Sequence, residues 1–303
     1  AQPVHELKFS TEIAAELDSG TLYPASAACH YSYIGEYQRA LQTYDFPLVW
    51  GLDTLTEEDR INFRNYRPVS LFSYLPEKLA QTRLVIISEA HHKPQHRVFV
   101  RRLLPLLKEQ GFDCLGLETL TPSLGDTSLF LMDADLHRRG YPLNSPMTGF
   151  YVREPQMGNI VRDALRLEFE LFAYERTNKG VERDLQQARN ILRYMNAHPN
   201  RKVVILCGGY HAVESAFPKR RNDRYLAWHL KRLSGLDPLT IYQDALTERK
   251  AAPESPFYPL IEAEEISVMI NSAGAPFTGF DTVAHFDFLV YHPPSSWKNG
   301  RPN

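Results

Sequence analysis

The sequence predicts an α/β protein: a mostly parallel sheet with helices on both faces, antiparallel strands expected at an edge, and an N-terminal helical region packed on the core. Three observations carry this. From Arg83 onward short apolar runs alternate with helical patterns at the spacing of βαβ units. The apolar runs Leu84–Ile87 and Lys202–Cys207 are nearly continuous, as strands buried on both faces are. At 303 residues the chain can bury a core of that size.

The first 75 residues show no strand–helix alternation. Residues 34–41 read as a helix with Ile34, Tyr37, Leu41 and Tyr44 on one face. Thr54 is placed to cap a helix that carries Glu57, Glu58 and Asp59 in its first turn. The α/β part is expected over residues 76–303. It begins with the strand Leu84–Ile87 and a helix from Pro94 to Gln110, which Pro105 should kink or break. A strand Asp113–Leu117 follows. Then come helix Pro155–Leu167, strand Phe169–Tyr174, helix Val181–Ala197, strand Lys202–Cys207, helix Asp223–Leu233 and strand Leu239–Tyr242. Ile266–Ile270 and Phe286–Tyr291 are the two runs expected to pair antiparallel at an edge. Residues 119–153 are long for a connection and hold a short helical pattern, Ser128–His137. They read as a lid-like insertion or as a surface excursion with its own small core.

Composition excludes several classes. A hydrophobic fraction of 43% and an aromatic fraction of 12% are those of a globular chain. A net charge of −2 does not suit a general nucleic-acid binder. No apolar run approaches the roughly 20 residues that span a bilayer. Three cysteines, Cys29, Cys114 and Cys207, build neither a disulfide framework nor a zinc pair. The start at Ala1-Gln2-Pro3, without Met, fits a mature periplasmic or secreted protein and equally a trimmed cytoplasmic one; export is the expectation.

Ligands of a parallel sheet bind beyond the carboxyl ends of its strands. Each predicted strand delivers a polar group there: Glu89, His91 and His92 after the first, Glu118 after the second, Glu175 after the third, His211 after the fourth, and Gln243 and Asp244 after the fifth. Taken singly, Glu118, Glu175 and Asp244 read as the first solvated residues of loops. The co-location of Glu89, His91, Glu118 and His211 points instead to a site. His96 and Arg97, in the first turn of the next helix, fit either a substrate contact or a solvated face. Gly208-Gly209 before Tyr210-His211 allows a tight turn and a close backbone approach to a ligand. Tyr151, Arg153 and Glu154 end the insertion and are its site-facing candidates. No Gly-x-Ser-x-Gly elbow is present, and no cysteine sits where a nucleophile belongs, which leaves water as the nucleophile. Glu and His serve as general base and acid, or as ligands of a divalent metal that acidifies water.

Glu89-x-His91 after one strand, Glu118 after the next and a late Gly208-x-x-His211, with His96 in the first loop, resemble the erythromycin esterase/ChaN-like group, which includes the Tiki proteases. The likeness spans about Leu84 to His211. It implies an α/β fold with its site at these strand ends, and three chemistries. The esterase spacing Glu-x-x-His selects Glu89 and His92, with water directed at a lactone. The ChaN-like Glu-x-His selects Glu89 and His91 and implies haem binding. The Tiki proteins imply metal-dependent proteolysis. Ser88 stands where the family usually has Gly. The expected partner is a small-molecule or peptide substrate; the alternatives are a haem or metal binder without catalysis, and an effector that uses the fold as a scaffold.

Overall fold

The protein is described by a computed structural model that covers residues 4–45, 55–123, 131–177, 180–216, 224–279, 285–298 and 301–302. Helices α1 (Ser10–Asp18), α2 (Pro24–Tyr33), α3 (Tyr37–Thr43) and α4 (Glu57–Phe63) come first. Strand β1 (Tyr66–Ser70) and helix α5 (Leu71–Gln81) lead into β2 (Leu84–Glu89), α6 (Pro94–Glu109) and β3 (Phe112–Leu117). The short helix α7 (Leu136–Arg139) lies in the insertion. Then follow α8 (Pro155–Arg166), β4 (Glu170–Phe172), α9 (Arg183–Ala197), β5 (Lys202–Gly208), α10 (Leu226–Ser234), β6 (Leu239–Leu246), β7 (Ser267–Asn271) and β8 (Phe288–Tyr291).

These eight strands form one sheet in the order β1-β7-β8-β6-β2-β5-β3-β4. Pairings from β8 through β4 are parallel, and β7 pairs antiparallel with both β8 and β1. The expected antiparallel pair is present, and β1 extends it as the edge.

Alternation along each strand divides the core in two. Val85 and Ile87 of β2, Leu115 and Leu117 of β3, and Val204 and Leu206 of β5 pack with α5, α6 and α8. Leu84, Ile86, Cys114, Val203, Ile205 and Cys207 pack with α9 and α10 on the other face. A third, small cluster of Ile13, Ala27, Ala28, Tyr31 and Ala40 joins α1, α2 and α3.

Several boundaries differ from expectation. Helix α6 runs unbroken through Pro105, because Leu103, Leu104 and Leu107 around it are fully buried and hold the turn. The helix expected over residues 34–41 begins at Tyr37, since Gly35 at φ 80° ends α2 before it. Thr54 lies outside the described residues, and Thr56 caps α4 by accepting from the Asp59 amide. Of the expected helix 128–137, residues 128–130 also lie outside them, and among the described residues only Leu136–Arg139 is helical, the stretch before it being bends and a turn. Strand β1 was not expected, because its central Pro68 and exposed Arg67 give no apolar alternation.

Candidate active site

Strand register assembles the site. β5 lies between β2 and β3, pairing Glu89 with Gly208, and the Glu118 amide donates to the Leu206 carbonyl at 3.2 Å. Glu89, Gly208 and Glu118 therefore stand side by side at the carboxyl edge. Glu89 shares the parity of Val85 and Ile87, so its side chain enters the α6/α8 face. Glu118 is one residue past Leu117, so its side chain enters the α9/α10 face.

On the first face, Arg97 of α6 is fully buried and clamps Glu89 from two directions, Nε to Oε2 and Nη2 to Oε1, both at 2.6 Å. Its Nη1 donates to Glu154 Oε2 at 2.8 Å. Glu154 is buried as well. It caps α8 by accepting from the Gln156 and Met157 amides, and takes the Tyr37 hydroxyl at 2.8 Å. Burial alone would raise the Glu89 pKa, but Arg97 and His91 outweigh it and hold the carboxyl below its usual range. A carboxylate only accepts, so the 3.0 Å contact with His91 places the imidazole proton on Nδ1. In the neutral ring Nε2 is then the acceptor. Tyr151 stacks on the His91 ring, with centroids 4.2 Å apart and planes at 21°.

On the second face, Gly208 N–H donates to Glu118 Oε2 at 2.7 Å and Arg183 Nη2 to Oε1 at 2.5 Å. Burial opposes the Glu118 charge, but His211, His91 and Arg183 hold the carboxyl well below its usual range. His211, in the turn after β5, has Nε2 at 3.4 Å from Glu118 Oε1 and Nδ1 at 2.5 Å from Asp184 Oδ1. Burial works against its charge, yet Glu118 and Asp184 push its pKa up to about 10. In that charged form the Arg183 contact, Nη1 to Nε2 at 3.1 Å, sets two cations side by side. Three carboxylates, Glu118, Glu175 and Asp184, surround them.

A cleft of about 410 Å³ opens over this edge, lined by Glu118, Thr119–Pro122, Phe150, Tyr151, Glu175–Thr177 and Arg183. Its outer wall is the returning insertion. Phe150 N–H donates to the Thr119 carbonyl at 3.0 Å and Tyr151 N–H to Thr119 Oγ1 at 2.6 Å. Only glycine fits at 149, where a Cβ would lie 2.2 Å from the Thr119 oxygen.

The adjacent histidines diverge. His91 is 28% exposed. His92 is buried on the other side of the loop, edge-on to Tyr44 with Nε2 3.6 Å from Asp45. His96 is fully buried, accepts the Ala90 amide at 3.0 Å and packs against His292, so it braces the loop from behind. Arg97 and Glu154 are likewise withdrawn from the cleft. Tyr210 stacks on Tyr225. Gln243 and Asp244 are buried, Gln243 on the Ser88 carbonyl and Asp244 on Lys93. Arg183 and Asp184 carry site contacts that the sequence reading missed. In sequence they are only the first two residues of a helix, and their roles appear once α9 is laid across β3 and β5.

The donor set does not fit a metal. Among the described residues no three His, Cys, Asp or Glu side chains converge where an ion could be held. Glu89 and Glu118 already spend their oxygens on Arg97, Arg183 and backbone. Tyr151, the tyrosine nearest His91, lies flat on its ring, and burial raises the pKa of its hydroxyl. Among the described residues no helix is long and apolar enough to cross a membrane.

No family model matches the chain, and no curated protein matches it. It is similar to solved bacterial effector and toxin structures. One is the type III effector HopBA1, at 14% identity and TM-score 0.40, over 74% of this chain and 94% of that one. Another is RRSP, a MARTX toxin effector domain from Vibrio vulnificus CMCP6, at 15% identity and TM-score 0.40 over 76% of this chain. The chain spans 45% of that structure's length. None of these likenesses assigns a chemical role to a residue here.

Proposed function

We propose that the protein is a hydrolase that uses water as its nucleophile, with His91 as general base and His211 as general acid. One observation carries this reading. Two imidazoles from separate strand ends reach one edge, each oriented through Nδ1 by its own carboxylate. Glu89 leaves His91 Nε2 free to accept a proton, while Glu118 and Asp184 keep His211 charged at neutral pH.

In the proposed reaction His91 Nε2 takes a proton from water as its oxygen attacks the carbonyl carbon of an ester or amide. Positive charge at Arg183 and His211 stabilises the tetrahedral oxyanion. When the carbon–heteroatom bond breaks, His211 gives its proton to the leaving oxygen or nitrogen. No step needs a metal. Tyr151 fixes the plane of His91, and Arg97 fixes Glu89.

The test is hydrolysis of p-nitrophenyl acetate in the presence of EDTA. His91→Ala and His211→Ala are expected to lose about 100-fold or more of the rate, with unchanged circular dichroism. Wild-type rates in both variants would refute the assignment.

A further inference from the structure

The acids around the cleft are matched by cations, but two guanidinium groups, one lining it and one behind its wall, are not matched by acids. Glu118 and Glu175 are held by Arg183, and Glu89 and Glu154 by Arg97. Arg176 lines the cleft directly. Among the described residues its side chain bonds from Nη1 to the Val181 carbonyl at 3.1 Å and has no ion pair. Arg153 stands behind the opposite wall. Its Cζ lies 4.1 Å from the Tyr33 ring centroid and 4.3 Å from that of Phe150. Its Nε is buried without a hydrogen-bond partner, and it too has no ion pair among the described residues. A guanidinium stacked between two rings is fixed in orientation before anything binds. Phe150, on which it stacks, lines the cleft and is 53% exposed.

We infer that the substrate carries an anionic group, a carboxylate or a phosphate, beside an aromatic or apolar portion. Arg176 receives the anion, Arg153 adds positive charge from behind Phe150, and Phe150 and Tyr151 receive the apolar portion. This rests on the cleft being the substrate site, as proposed above, but not on the chemistry performed there. Guanidinium matches both oxyanions in geometry, so the structure names the shared chemistry.

Binding by calorimetry tests it with probes that are not hydrolysed. Phenylacetate and benzylphosphonate represent the two anions, and benzyl alcohol is the neutral control. At least one anion is expected to bind about tenfold or more tighter than benzyl alcohol, and the tighter of the two identifies the source. Arg176→Gln and Arg153→Gln should each reduce that preference, while Arg176→Lys, which keeps the charge, should retain part of it. Thermal melting of each variant confirms that it is folded. Equal binding of all three probes, or a preference unchanged in both folded glutamine variants, would overturn the inference. An anion preference in a protein that hydrolyses no ester would leave this inference standing and remove the catalytic one. Ester hydrolysis without an anion preference would do the reverse.

Discussion

Gly208 lies directly beneath His91: a Cβ at position 208 would sit 2.7 Å from His91 Nε2 and 3.5 Å from Glu118 Oε2. The strand that separates the two faces thus carries a residue without a side chain at the level where His91 and Glu118 face each other. Gly208→Ala must displace His91 or the strand. It is expected to reduce ester hydrolysis about tenfold or more, with a stability loss of about 1–3 kcal/mol from the forced shift. Steady-state kinetics with a thermal melt check this, and an alanine variant of full activity would show that Nε2 does not work from this position.

Asp184 orients His211 through Nδ1 and also accepts the Leu226 amide at the start of α10, at 2.8 Å. Asp184→Asn retains an acceptor for that amide but removes the charge. The variant should fold normally and lose about 100-fold or more in rate. Its alkaline activity limb should move to lower pH, because a carboxylate that raises the His211 pKa is gone. A rate loss with an unmoved limb would assign Asp184 a packing role only.

Arg97 joins Glu89 to Glu154 with no exposure to solvent. Removing one partner of such a network strands a buried charge, at a cost of about 3–5 kcal/mol. Arg97→Met, which leaves two carboxylates unpaired, is expected to fall in this range by urea denaturation. Arg183 is 39% exposed, so Arg183→Met should cost much less stability while still lowering activity.

Stability should fall on acidification from neutrality. His92, His96 and His292 are buried beside Lys93. Burial is the largest cause that holds all three below the usual imidazole range, His292 down to about 3, and at His92 it outweighs Asp45. An unfolded histidine titrates near ~6.5, so between that pH and about 3 the unfolded chain binds protons that the folded His292 refuses. In that window His292 removes about 1.4 kcal/mol per pH unit, and His92 and His96 act in the same direction. His211 has the opposite sign. Its pKa is raised to about 10, so its contribution is complete below ~6.5 and is lost as pH rises through about 10. Melting temperatures from pH 4 to 10 should therefore peak near neutrality, and His292→Phe should flatten the acid side alone.

Much of this arrangement was legible in the chain. Parallel strands carry their carboxyl ends to one edge, so Glu89, Glu118, Glu175 and His211 could be gathered from their positions after apolar runs. What could not be read was the partner of each charge. Arg97 in a first helical turn looks solvated until Glu154, 57 residues away, is brought beside it. The choice between His91 and His92 was open because both spacings were satisfied. The backbone turns one ring over Gly208 and the other toward Asp45, which comes from the N-terminal region. Tyr37 and Asp45 were likewise invisible as supports, since nothing in their local sequence points to the sheet edge.

The most direct test of the account is chemical rescue of the base. His91→Gly removes the imidazole while leaving Glu89, Glu118 and His211 in place. The account predicts a folded variant with little p-nitrophenyl acetate hydrolysis, whose rate rises saturably by about tenfold or more with added imidazole. Wild-type activity in the variant, or a lost activity that imidazole does not restore, would contradict the assignment of His91 as the residue that activates water.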